Sequence, residues 1–66
     1  MKWVCKFEND ELHLEGISLN DSGAEIYIHD DGTFSLFEIP LYGGTPMFVK
    51  NYTNINEAIK VAESWT

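Results

Sequence analysis

Arginine is absent from the sequence, and cations are scarce: four lysines face eleven aspartates and glutamates, a formal net charge of −7. Nucleic-acid binding requires a basic footprint on the phosphates. Anionic membrane surfaces attract the same cations. Direct contact with either is therefore not expected. Cysteine is equally scarce. Cys5 stands alone, so the chain can form no internal disulfide and no Cys-x-x-Cys metal or redox pair. A cysteine-poor small chain fits a reducing compartment. Long hydrophobic runs are missing too, with nothing near the ~18 apolar residues of a membrane span. Met1-Lys2 leads straight into an alternating pattern rather than the apolar stretch of about 7–15 residues that marks a secretory signal. A cytoplasmic protein is expected.

What is present fits a single small domain over residues 1–66. A chain of this size buries only about 60% of its unfolded surface, so its core is marginal and a partner or second copy would add stability. Lys2-Trp3-Val4-Cys5-Lys6-Phe7 alternates with the period of a half-buried strand, and Trp3, Cys5 and Phe7 are expected in the core. The polar Glu8-Asn9-Asp10-Glu11 reads as a hairpin loop. Leu12-His13-Leu14-Glu15 alternates again, and the phase changes at Gly16, which suggests a bulge or bend. Asn20-Asp21-Ser22-Gly23 reads as a turn. Ala24 to His29 is the clearest strand, with Ala24, Ile26 and Ile28 facing the core and Glu25, Tyr27 and His29 facing away.

Asp30-Asp31-Gly32 reads as a hairpin turn of type I′, whose central residues need positive φ. Thr33 to Ile39 is the return strand. Phe34 and Leu36 lie on one of its sides and Phe37 and Ile39 on the other, so it is central or covered on both faces. Pro40 ends it. Leu41 to Pro46 is a glycine-rich loop, and Met47 to Tyr52 a last strand. Asn54 is a helix N-cap with Glu57 three residues on, and Ile55, Ala58, Ile59, Ala62 and Trp65 form one apolar stripe. So short a helix cannot stand alone in water and must lie on the sheet. The expected class is α+β: an antiparallel meander of four to five strands packed on one C-terminal helix.

Chemistry-bearing patterns are sparse. His13 and His29 share a face with Glu15 and Glu25 if the second and third strands pair, but strand histidines are far more often solvated than metal-bound. No metal or cofactor is expected. Asp30-Asp31-Gly32 lacks the alternating ligand spacing of a calcium loop. Gly43-Gly44 lacks the lysine and spacing of a P-loop. A core Cys5 is inert as a nucleophile. One sheet and one helix leave little room for a cleft that shifts carboxylate pKa values, so no enzymatic activity is expected.

The charge is unevenly placed. Residues 1–38 hold nine of the acids against Lys2 and Lys6, whereas residues 39–66 balance Glu57 and Glu63 against Lys50 and Lys60. Nine aromatic residues accompany it. An outward Tyr27 beside Glu25, Asp30 and Asp31 has the composition of an interface core with an acidic rim. The expected partner-binding residues are Glu25, Tyr27, His29, Asp30, Asp31 and Tyr42.

Residues 24–65 resemble a known unit. Ile26-Tyr27-Ile28-His29-Asp30-Asp31-Gly32-Thr33-Phe34, then Phe37-Glu38-Ile39-Pro40, a glycine-containing loop, and Asn54-Ile55-Asn56-Glu57-Ala58-Ile59 with Ala62 look like the strand–strand–strand–helix unit of HicB-type antitoxins. Where that family has Pro-Asp-Leu-Pro-Gly, this sequence has Pro40-Leu41-Tyr42-Gly43-Gly44, and it adds an N-terminal hairpin. The family's DNA-binding appendage has no counterpart, so operator binding is not implied. The resemblance implies neutralising a small basic toxin by protein contact. The expected function is thus an acidic protein-binding module that inhibits or sequesters a basic protein. Two alternatives are a DNA mimic, which presents carboxylates as phosphates to a nucleic-acid enzyme, and a structural homodimer.

Overall fold

The computed structural model describes residues 1–17, 23–40 and 44–65. Five strands, β1 (Lys2–Glu8), β2 (Glu11–Ile17), β3 (Gly23–Ile28), β4 (Phe34–Ile39) and β5 (Met47–Tyr52), precede one helix, α1 (Ile55–Glu63). The strands pair antiparallel in sequence order, β1-β2-β3-β4-β5, an open meander with free edges at β1 and β5. This is the expected α+β architecture, with the fifth strand present. No helix among the described residues is long and apolar enough to cross a membrane.

The hairpins assign turn chemistry differently from the sequence expectation. In β1–β2, Glu8 pairs with Glu11, leaving a two-residue loop in which Asn9 (φ 52°) and Asp10 (φ 62°) both take positive φ. This is the type I′ geometry, which matches the right-handed twist of the strands. Asn and Asp tolerate it because their short polar side chains bond locally. In β3–β4 only Gly32 has positive φ (86°). The Gly32 N–H donates to the His29 carbonyl (3.2 Å) and the His29 N–H to the Thr33 carbonyl (3.0 Å). Asp30-Asp31-Gly32 is therefore a three-residue loop with glycine at the left-handed position, not a type I′ turn. Asp31 Oδ1 holds it by accepting from the Thr33 N–H (3.0 Å) and hydroxyl (2.6 Å). These bonds favour the ionised carboxyl and hold its pKa below the usual carboxylate value.

The core is one layer thick. Ala24 and Ile26 of β3, Leu36 of β4 and Ala58 and Ala62 of α1 are fully buried. Met1, Trp3, Leu14, Phe34, Tyr52, Ile55, Ile59, Val61 and Trp65 pack around them. The two alanines carry no bulk past Cβ, which lets their helix face sit directly against the sheet side chains. Asn54 caps the helix as expected: its Oδ1 accepts from the Asn56 N–H (2.8 Å) and its carbonyl from the Glu57 N–H (3.1 Å). The helix lies on β3, β4 and β5. β1 extends beyond its cover, so Cys5 is exposed and Phe7 is 69% exposed. Their expected place in the core is thereby corrected: the alternation names a face of β1, but among the described residues the helix covers only β3, β4 and β5.

Two irregularities were expected at the wrong places. β2 runs unbroken through Gly16, which pairs with Trp3 on one side and Ala24 on the other. The glycine is instead a seat for the indole: a Cβ there would lie 2.8 Å from the Trp3 ring and 2.5 Å from Met1 Sδ. The bulge is in β4–β5, where Leu36 pairs with Lys50 but Phe37 with Phe48, so Val49 is the extra residue. A bulge shifts the alternation of its strand by one. Tyr52 therefore faces the helix with Phe34, while Phe48 turns to the opposite face beside Phe37. The expected turn residues 20–22 lie outside the described residues, and Gly23 opens β3.

Candidate protein-binding face

The face of the sheet opposite α1 carries a row of stacked rings, one from each of four strands. His13 on β2 stacks on Tyr27 on β3, with centroids 5.1 Å apart and planes 28° apart. Tyr27 meets Phe37 on β4 edge to face at 5.4 Å and 82°. Phe37 meets Phe48 on β5 at 5.6 Å and 67°. Each pair is a cross-strand neighbour set by the register, and each adds about 0.5–1.5 kcal/mol beyond area burial. The row ends in the open: Phe48 is 57% exposed, with Met47 and Val49 exposed beside it on β5.

Carboxylates flank the rings. Glu15 of β2 lies directly opposite Glu25 of β3, a like-charge pairing that the sheet must offset. Two contacts do so. Lys6 Nζ lies 3.2 Å from Glu15 Oε2. The Tyr27 hydroxyl donates to Glu25 Oε2 at 2.6 Å. That hydrogen bond, with burial and the nearby charges of Glu25, Glu11 and Glu8, pushes the phenol pKa from 10.0 up to about 12. His13 is 6% exposed, its Nε2 is 3.9 Å from Glu15 Oε2, and its Nδ1 is buried with no hydrogen-bond partner among the described residues.

On the other side of Tyr27, a relay crosses three strands. Ser35 Oγ donates to Asn51 Oδ1 (2.6 Å) and lies 2.6 Å from His29 Nε2. With its own proton directed to Asn51, Ser35 accepts from His29, and the imidazole is fixed as a donor through Nε2. A serine–histidine contact can serve nucleophilic catalysis, but that needs donors for a developing oxyanion. Here Glu11 and Glu25 border the same hollow and oppose such charge. The relay fixes the orientation of His29.

The hollow holds about 400 Å³, open on one side and lined by Glu11, Glu25, Tyr27, His29, Ser35, Phe37 and Pro46. A second hollow, of about 510 Å³, adjoins it through Glu11 and His29. Phe7, Leu12 and Ile28 form its apolar part, with Asn9, Asp10 and Asp30 beside them. In a meander the β1–β2 and β3–β4 turns fall at the same end of the sheet. Glu8, Asp10, Glu11, Asp30 and Asp31 therefore gather there, all exposed.

Of the expected binding residues, Glu25, Tyr27 and His29 come together on the open face. Asp30 and Asp31 sit at its acidic end, and Tyr42 lies outside the described residues. Glu11, Ser35, Phe37 and Phe48 also belong to the face and were not expected there. Phe37 was legible as the odd member of β4, whereas Phe48 is placed by a bulge that the sequence does not mark. Among the described residues, no group of three His, Cys, Asp or Glu side chains could hold a metal ion. Comparison with known proteins finds no matching family model, no similar curated protein and no similar solved structure.

Proposed function

We propose that this protein is a small acidic module of the cytoplasm that acts by binding, without catalysis, and inhibits or sequesters a basic protein partner. One observation carries the reading: the face left uncovered by the helix presents a row of aromatic rings bordered by Glu11, Glu15 and Glu25. Rings supply contact energy at low entropic expense, and carboxylates speed the encounter and select a cationic surface.

The test is capture from native cells on tagged protein at physiological salt, washed in steps to about 1 M, where screening reaches within a few ångströms. Release of one basic protein as salt rises supports the reading. A lane that holds only the bait removes it and favours a homodimer or a purely structural role.

A second reading, DNA mimicry, is favoured by the gathering of Glu8, Asp10, Glu11, Asp30 and Asp31 at one sheet end. The two separate by competition. A captured enzyme displaced by duplex DNA supports mimicry; a partner indifferent to DNA supports the aromatic face.

A further inference from the structure

We propose that the hollow between Glu11, Glu25, Tyr27 and Phe37 receives one arginine side chain of the basic partner. This rests on the function proposed above and adds to it the recognised group. Three features select that group.

The first is charge. Glu11 and Glu25 come from neighbouring strands, and no lysine borders the hollow. Lys6 of β1 is engaged with Glu15. A cation entering the hollow would meet two carboxylates and displace no resident ion pair.

The second is the arrangement of acceptors. Tyr27 uses one oxygen of Glu25, leaving the other oxygen of Glu25 and both of Glu11. The phenol oxygen, having donated its proton, also accepts. Acceptors thus come from two neighbouring strands. An ammonium is a compact point charge, whereas a guanidinium offers five donors in a planar fork. Only the fork can bond the Glu25 carboxylate in the bidentate manner and still offer a donor to the phenol oxygen, while Glu11, four residues along β2 from Glu25's partner Glu15, adds negative charge at the rim.

The third is the shape of the walls. The Tyr27 and Phe37 rings and Pro46 line it, beside His29 and Ser35. A guanidinium is weakly hydrated and stacks on such surfaces, while an ammonium gives up its water less readily. The hydrogen bonds from Tyr27 to Glu25 and from His29 to Ser35 fix the walls before a ligand arrives.

The probe is N-acetyl-arginine N-methylamide, titrated into isotopically labelled protein and followed by NMR. The matching citrulline amide has the same shape without the charge, and the matching lysine amide the charge without the fork. The expected result is saturable shifts confined to Glu11, Glu25, Tyr27 and Phe37 with arginine, weaker saturation with lysine, and none with citrulline. In Glu11→Gln/Glu25→Gln the arginine affinity should fall about tenfold or more, the loss of at least one charge-assisted hydrogen bond. Both changes are isosteric, and the citrulline control needs no variant at all.

Equal shifts with citrulline, lysine binding as tight as arginine, or shifts spread over all the carboxylates would each overturn the assignment. The two proposals fail separately. A basic partner captured equally well by the double variant keeps the binding module and removes the arginine pocket. Saturable arginine binding in a protein that captures nothing removes the partner.

Discussion

At the scale of single residues, Tyr27 is held on the open face by one strong hydrogen bond. Its phenol donates to Glu25 and is raised to about 12. The folded state therefore holds the phenolic proton more tightly than the unfolded state does. The contribution to stability is complete below about pH 10, the unfolded phenol's value, and is lost as pH rises from there through about 12. Ultraviolet titration should show one tyrosine ionising later than the others, and Glu25→Gln should bring it back down. An unchanged late phase in that variant would place the cause elsewhere. Gly16 gives a second residue-level prediction. Gly16→Ala should lower unfolding stability by about 1–3 kcal/mol, the usual range for overpacking, because its Cβ meets the Trp3 ring. Denaturant melts followed by Trp3 fluorescence measure it. The glycine was visible in the sequence but its reason was not, because only the register brings Trp3 across from it.

At the scale of elements, the strands and helix were legible because their periods are clean. Ala24 to Ile28 alternates, and Ile55, Ala58, Ile59 and Ala62 repeat at helical spacing behind an Asn54 cap. Turns and bulges were less legible. The positive-φ pair fell at Asn9-Asp10, where no glycine signals it, while Asp30-Asp31-Gly32 took a longer loop. Asp10→Gly should therefore stabilise the fold by about 0.5–1 kcal/mol, since glycine removes the left-handed penalty that Asp still carries. Gly32→Ala should destabilise it by a similar amount. Paired thermal melts check both, and opposite signs are required. The β4–β5 bulge stayed hidden because Phe48 and Val49 are both apolar, so the phase of β5 cannot be read from its sequence.

At the scale of the whole molecule, charge and cover decide the behaviour. A net charge of −7 on so small a chain repels itself. Added salt should raise the folding stability of the free protein and at the same time weaken its association with a basic partner. The acidity and the single-layer core were plain from composition and length. The extent of helix cover was not, and it is this that leaves Phe7 and Cys5 exposed at one edge; on the opposite face, exposure grows along the ring row from buried His13 to exposed Phe48. Alternation assigns residues to faces, but only the position of α1 says which parts of a face are hidden.

The proposed partner reads this open face, and not merely the negative charge of the chain. Two charge reversals separate these. Glu25→Lys changes the ring-bearing face, whereas Glu57→Lys makes the same change in net charge on exposed α1, at a helix-dipole cost below about 1 kcal/mol. Both variants and the parent would be used as bait for the same lysate at the same salt. Glu25→Lys is expected to lose the basic partner while Glu57→Lys retains it. Equal retention, or equal loss, by the two variants would contradict it.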